Sequence, residues 1–335
     1  MFGKDIGIDL GTANVSIHVK GKGVVLDEPS VVAIESDTKR VLAVGEEARR
    51  MVGRTPGNIV AIRPLRDGVI ADFEITEMML KAFISRVGGK SWYSHPRILI
   101  CAPTNITSVE QKAIREAAER SGAKEVLLEE EPKAAAIGAG MDIFQPSGNM
   151  VVDIGGGTTD VAVLSMGDVV TSTSIKVAGD KFDAAIMKYI KDKYKLLIGE
   201  RTSEDIKIKI GTVLEDGKKE SMDIRGRDMV SGLPLTVTIT SREVREALAD
   251  PVASIIAAAK SVLERTPPEL SADIIDRGVI LTGGGALLHG LDTMMAEELK
   301  VPVLIADDPM HCVVKGTGIM LDNLDKVTKH KKALR

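Results

Sequence analysis

Cysteine and aromatic residues are scarce in this sequence, which has two cysteines, Cys101 and Cys312, and one tryptophan among 335 residues. It contains neither a CxxC pair nor the Cys/His spacing of zinc sites, which excludes a disulfide framework and a structural zinc centre. Both cysteines lie in apolar stretches, so we expect buried, reduced thiols.

An excess of one charge and long apolar runs are also missing. The formal net charge is −4, and no basic field indicates a nucleic-acid partner. No apolar run approaches the ~18 residues that cross a bilayer, and the first residues lack the charged and apolar regions of a signal peptide. We therefore expect a cytoplasmic protein, with contact to a membrane surface left open.

What the sequence does contain is an internal repeat. Residues 6–19 and 150–164 each read as an apolar strand ending in aspartate, a short Gly/Thr turn and a second strand. Strands alternate with helical segments in both halves, which predicts an α/β fold of two similar halves. The strand-rich stretch 28–63 and the mixed stretch 181–241 are predicted to be small inserted subdomains.

The two repeated turns predict a pair of phosphate-binding loops. Glycine lets backbone N–H groups approach an anion, threonine adds donors, and a strand-end aspartate can hold Mg²⁺ through water. One such turn alone would be an ordinary hairpin, and it is the duplication that favours binding. The predicted residues are Asp9, Gly11, Thr12, Ala13 and Asn14 in the first loop and Asp153, Gly155, Gly156, Gly157 and Thr158 in the second, with Asp9 and Asp153 as the magnesium residues.

Two further segments carry weaker signals. Gly283–Ala286 joins a predicted strand to a helix predicted over 286–299, where adenine could lie against the backbone. A tight βα turn explains this segment equally well, and it does not match the dinucleotide fingerprint. Glu129–Pro132 places carboxylates at a helix N-terminus, where one could polarise an attacking water. From the residues alone, complementarity to the helix dipole is the simpler reading.

A loop predicted between helix 75–87 and strand 97–102 carries the only tryptophan, Trp92, beside Tyr93. Both residue types favour the bilayer interface, so we predict a membrane-contacting tip; the alternative is that Trp92 folds back on the core. The basic stretch 326–335 is predicted to be a solvated tail, with a lipid contact as the alternative.

Taken in order, the two hairpins and the Gly283–Ala286 turn resemble the superfamily of actin, DnaK chaperones and sugar kinases. Over essentially its whole length, the sequence resembles the MreB family of bacterial actin homologues, and residues 129–132 with 149–160 look most like a paralogue of Gram-positive rods. One departure is Lys315, where that family usually has an apolar residue. The most specific segments are residues 5–14, 28–33, 52–58, 63–72, 225–228 and 266–270.

The resemblance implies an actin-like fold of four subdomains around a cleft for ATP or ADP with Mg²⁺. It assigns Glu131 as the water-activating acid, assisted by Thr158. Subdomain IA would hold residues 1–32, 64–146 and 311–335, IB 33–63, IIA 147–180 and 242–310, and IIB 181–241. The nucleoside would be lined by Glu204, Asp205, Ile206 and Lys207 and by Gly283, Gly284, Gly285, Ala286 and Leu287.

The same resemblance implies a slow ATPase that forms paired filaments with itself on the inner face of the cell membrane. Its partners would be cell-wall elongation proteins, and its role would be rod shape. A small-molecule kinase on the same fold is the alternative, although the sequence shows no separate constellation for a phosphate acceptor. A chaperone ATPase is a third possibility, which would need a peptide-binding domain beyond the ATPase region.

Overall fold

The elements of the computed structural model alternate between strands and helices, and the structure describes residues 5–88, 96–104 and 106–323. The predicted membrane tip at Trp92 and Tyr93 and the basic stretch 326–335 lie outside the described residues. The strands are β1 (Ile6–Leu10), β2 (Asn14–Val19), β3 (Gly23–Pro29), β4 (Val32–Glu35), β5 (Val41–Val44), β6 (Ile59–Ile62), β7 (Leu65–Arg66), β8 (Val69–Ile70), β9 (Arg97–Ala102), β10 (Glu125–Glu130), β11 (Asn149–Ile154), β12 (Thr159–Ser165), β13 (Asp168–Ile175), β14 (Leu196–Leu197), β15 (Ser221–Asp228), β16 (Pro234–Thr240), β17 (Val279–Thr282) and β18 (Val303–Ile305). The helices are α1 (Glu46–Arg49), α2 (Phe73–Gly88), α3 (Ser108–Arg120), α4 (Glu131–Gly138), α5 (Gly179–Tyr194), α6 (Glu200–Ile210), α7 (Ser241–Arg265), α8 (Pro268–Arg277), α9 (Leu291–Leu299) and α10 (Cys312–Asp322), with 3₁₀ turns at Gly284–Leu287 and Pro309–His311.

Two five-stranded sheets share one topology. The first runs in the order β10-β9-β1-β2-β3 and the second in the order β18-β17-β11-β12-β13. In each, three consecutive strands form an antiparallel meander, and two later strands continue the sheet parallel to the first of them. The predicted α/β architecture of two similar halves is therefore confirmed. Asp9 pairs with Ser16 and Asp153 with Asp160, so both aspartates occupy the same register position.

Two three-stranded sheets lie in the segments that were predicted to be insertions. One has the order β5-β4-β6 and the other the order β14-β15-β16. One sheet spans Val32 to Ile62, close to the predicted limits 33–63 of IB, and the other spans Leu196 to Thr240, within the predicted 181–241 of IIB. The subdomain boundaries themselves stay a prediction, which these two sheets support.

Each half has its own hydrophobic core. The first packs around β1, β9, α2 and α3, with Phe83 fully buried, and the second around β11, α5, α7 and α9, with Phe182 fully buried. Both cysteines are buried free thiols, as expected. Among the described residues, no helix is both long and apolar enough to cross a membrane.

Helices α4 and α10 pack against each other through glycine. A Cβ added to Gly316 would lie 1.9 Å from the carbonyl oxygen of Ala134, and one added to Gly138 would lie 1.8 Å from that of Cys312. Their cluster also includes Leu99 of the first sheet and Val151 of the second. The helix pair therefore fills the space between the two sheets, and only glycine allows its backbones to come this close.

We predict that Gly316→Ala lowers the free energy of unfolding by about 1–3 kcal/mol, because the added methyl group forces the two helix backbones apart. Gly57→Ala is the matched control, since nothing lies within 4 Å of a Cβ at that position, and it should stay within about 0.5 kcal/mol of the wild type. Chemical denaturation monitored by circular dichroism measures both values. Equal stability of the two variants would contradict the packing described.

Candidate functional site

A cavity of about 510 Å³ lies where the two repeated turns meet. This volume is typical of a small-molecule site, and both halves of the chain contribute to its lining. Most of the predicted site residues line it, namely Asp9, Gly11, Thr12, Ala13, Asn14, Glu131, Asp153, Gly155, Gly156, Gly157, Thr158, Glu204, Lys207, Gly283, Gly284, Gly285 and Leu287.

The β1–β2 and β11–β12 turns touch each other. A Cβ added to Gly156 would lie 2.5 Å from the Cβ of Ala13, and one added to Gly157 would lie 2.5 Å from Oγ1 of Thr12. The Thr12 hydroxyl accepts a hydrogen bond of 2.9 Å from the N–H of Gly68, which leaves its own proton free to donate. Turns in contact, with glycine on one side, present backbone N–H groups from two directions to an anion.

Four carboxyl groups, those of Asp9, Asp153, Asp160 and Glu131, gather beneath these turns. Burial, followed by the charge of Asp153, raises the pKa of Asp9 to about 8. Burial likewise raises the pKa of Asp153 to about 7, although a hydrogen bond from Thr282 opposes the rise. Burial also raises the pKa of Asp160, against a backbone hydrogen bond from Thr104. The site thus concentrates negative charge away from water, a costly arrangement that a cation would relieve.

Glu131 is the first residue of α4, so the helix start places its side chain at the cavity. The residue is buried, and this burial, followed by the charges of Asp160, Asp9 and Asp153, raises the pKa of Glu131 well above its usual value. A carboxylate with a raised pKa is a stronger base, and proton uptake from a reacting group requires such a base.

The described residues contain no group of three or more His, Cys, Asp or Glu side chains that could enclose a metal ion. Among the residues that the structure describes, no lysine or arginine forms an ion pair with Asp9 or Asp153. A divalent ion here would therefore take most of its ligands from water or from a bound phosphate, as Mg²⁺ commonly does.

The predicted run Glu204–Lys207 is only partly at the cavity. Glu204 and Lys207 line it, whereas Asp205 does not and Ile206 is buried in the core of the second half. The reason is helical geometry, because residues on one face of α6 recur every three or four positions. The structure adds Ile208 and Gly211 to the same face.

The Gly283–Leu287 segment also differs in detail from the prediction. A 3₁₀ turn spans Gly284–Leu287, and the following helix begins at Leu291 rather than Ala286. Ala286 is buried in the core and is not part of the lining. Gly283 has a φ of +80°, and a Cβ there would meet the backbone of Ile154, so this strand-to-turn junction requires glycine.

Cross-cleft ion pairs were not predicted from the sequence. Arg49 contacts Glu204 at 2.6 Å, and Arg63 contacts Asp180 at 3.2 Å and Glu200 at 3.3 Å. Both arginines lie in the first inserted segment, 28–63. Glu200 and Glu204 lie in the second, 181–241, and Asp180 directly precedes it. No motif marks them, because each pair is separated by more than 100 positions in the chain.

The sequence matches the MreB/Mbl protein family over residues 3–329. The cell shape-determining protein Mbl of Bacillus cereus is 76% identical over 100% of both chains. The cell shape-determining protein MreB of Escherichia coli is 52% identical over 97% of this chain and 95% of its own length.

Several solved structures superpose closely on this fold. MreB5 of Spiroplasma citri bound to AMPPNP has a TM-score of 0.93 at 42% identity and covers 99% of both chains. The same protein bound to ADP also has a TM-score of 0.93 at 42% identity, over 98% of both chains. The MamK double helical filament is 20% identical with a TM-score of 0.81, over 95% of this chain and 98% of MamK, and this likeness concerns the fold alone. Together they confirm the predicted actin-like fold.

We predict that Asp153→Asn stabilises the ligand-free protein more at about pH 8 than at about pH 5, by about 1–3 kcal/mol. A carboxyl group with a raised pKa in the folded state loses stability as pH rises from its unfolded pKa of 3.8 to the folded value of about 7. Asparagine removes this charge and can still accept the hydrogen bond from Thr282.

Thermal unfolding of the wild type, Asp153→Asn and the exposed control Asp37→Asn over this pH range provides the measurement. The control should show no pH-dependent gain. A difference between Asp153→Asn and the wild type that does not grow with pH would contradict the electrostatic account.

Proposed function

Because the chain belongs to the MreB/Mbl family, we propose that it is an ATP-dependent, actin-like cytoskeletal protein that polymerises with copies of itself and determines cell shape. The observation that carries this proposal is the contact of two glycine turns at a cavity lined by buried carboxyl groups. The relatives' names supply the cellular role, and the nucleotides in the Spiroplasma structures supply the ligand class.

The nucleotide phosphates would be held by the two turns, Thr12–Asn14 and Gly156–Thr158. The nucleoside would be held by the cavity residues Glu204, Lys207 and Gly283–Leu287 other than Ala286. Mg²⁺ would fit beside Asp9 and Asp153, whose pKa values are raised. Neither carboxyl group forms an ion pair with a lysine or arginine among the described residues, so a cation could balance their charge. Bound there, the ion would neutralise charge on the phosphates.

Hydrolysis would use Glu131 to accept a proton from the attacking water, with Thr158 helping to orient it. Two features support this role: the position of Glu131 at the cavity wall and the raised pKa of its carboxyl group. A buried base surrounded by other carboxyl groups holds its proton unless a cation is present. Catalysis should therefore depend on the bound metal, which fits a slow ATPase.

Filament formation is tested together with hydrolysis. We expect wild-type protein to sediment at high speed with ATP, and Glu131→Gln to sediment as well while releasing phosphate about 10²–10⁴-fold more slowly. Glutamine keeps the shape of the side chain but cannot accept the proton. Glu264→Gln, at an exposed position, serves as the control and should match the wild type in both assays.

A wild-type protein that neither binds ATP by calorimetry nor sediments with it would refute the proposed function. Phosphate release by Glu131→Gln at the wild-type rate would instead leave the filament role standing and remove Glu131 from the mechanism.

We further propose that the filaments lie on the inner face of the cell membrane and work with cell-wall elongation proteins. The support is the sequence pattern Trp92-Tyr93, since such side chains favour the bilayer interface. Trp92→Ser combined with Tyr93→Ser should reduce co-sedimentation with anionic vesicles and leave ATP binding intact. Phe144→Ser, at an exposed aromatic elsewhere in the chain, is the matched control, and equal vesicle binding by the two variants would refute the anchor.

A further inference from the structure

Polar contacts join β3, the strand beside the first phosphate hairpin, to the segment that precedes α10. Nε2 of His311 lies 3.3 Å from a carboxylate oxygen of Asp27, and its Nδ1 lies 2.9 Å from Asp308. Lys315 pairs with the same Asp308 at 2.7 Å. This tie, Asp27–His311–Asp308–Lys315, accounts for the charged side chain of Lys315, where the resemblance led us to expect an apolar residue. Its charge has a partner, and α10 still packs through its other face.

The tie reaches the nucleotide cavity at Asp27. That carboxylate accepts hydrogen bonds from Ser16 at 2.9 Å and from Asn14 at 3.2 Å, and all three residues line the cavity. At the other end, the carbonyl of Pro309 accepts a hydrogen bond of 2.8 Å from Gly283. The segment 308–311 thus connects the first phosphate hairpin with the glycine turn of the second half.

The geometry favours a protonated ring on His311. Each nitrogen of His311 faces a carboxylate, and a neutral imidazole can donate from only one of its nitrogens. Burial lowers the pKa of His311, but the hydrogen bonds and charges of Asp308 and Asp27 outweigh it and place the pKa above the usual 6.5. In this state two cations, His311 and Lys315, balance two carboxylates.

We propose that protonated His311 is a positioning residue of the nucleotide site, which holds Asp27 and through it fixes Asn14 and Ser16 beside the first phosphate loop. This inference rests on the proposed nucleotide binding. It follows that the contribution of His311 to affinity is present at low pH and is lost as pH rises through its raised pKa.

Other groups near the tie titrate as well. Asp9 and Asp153, with pKa values of about 8 and 7, change charge in the same range. Their ionisation favours a bound cation, so their effect on affinity for a magnesium nucleotide has the opposite sign. The Cys312 thiol, whose pKa is raised to about 12, stays protonated throughout. Only the difference between wild type and a His311 variant therefore reports on the tie.

The first test measures the affinity for Mg-ADP of the wild type, His311→Gln, Asp27→Asn and the double variant at about pH 6 and about pH 9. We expect His311→Gln to bind about tenfold more weakly than the wild type at the lower pH and less than about twofold more weakly at the higher pH. In the Asp27→Asn background, His311→Gln should have little further effect.

The second test needs no nucleotide. The ring C–H signal of His311 in NMR spectra is assigned by its absence in His311→Gln. Its titration should give a pKa above 6.5 for the wild type, and this pKa should move towards 6.5 in Asp27→Asn. An ordinary or lowered pKa, or an affinity loss equal at both pH values, would overturn the positioning role while ATP binding stands. A wild type that binds no nucleotide would overturn the proposed function, and this inference with it.

Discussion

The contact between the two glycine turns is the constraint on which the rest of the site depends. Gly156 and Gly157 meet Ala13 and Thr12 at distances that leave no room for a side chain. This contact fixes the spacing of the two hairpins and brings the strand-end aspartates of the two sheets close enough for the charge of one to raise the pKa of the other. A polyphosphate site then needs no additional loop or helix, since each half supplies one turn and one carboxylate.

The same contact imposes an electrostatic cost. Asp9, Asp153, Asp160 and Glu131 all have raised pKa values, and burial is the largest cause for each. Two separate cores, one behind each sheet, hold the strands that carry these groups in place. The ligand-free protein therefore carries an electrostatic cost at its site that a cation bound with a nucleotide would relieve, so ligand binding and stability should be strongly linked.

The features that the sequence predicted well are local. A strand, a glycine turn and a second strand are encoded by neighbouring residues, so the hairpins, their aspartates and the two similar halves were all predictable. The resemblance did not show that Asp205 and Ile206 lie away from the cavity. A family match assigns a whole segment to a site, whereas a helix turns only one face of that segment towards it. The pairs Arg49–Glu204 and His311–Asp27 depend on residues 155 and 284 positions apart, and no local pattern reports on such distances.

Helix α4 links the chemistry of the site to the arrangement of the halves. Its first residue is Glu131, and its alanines pack between Leu99 of the first sheet and Val151 of the second. Gly138 and Gly316 bring α4 against α10 without space for adjustment. Close-packed interiors transmit displacement rather than absorb it. Because α4 packs on both sheets, the position of the Glu131 carboxylate depends on how the two halves are arranged.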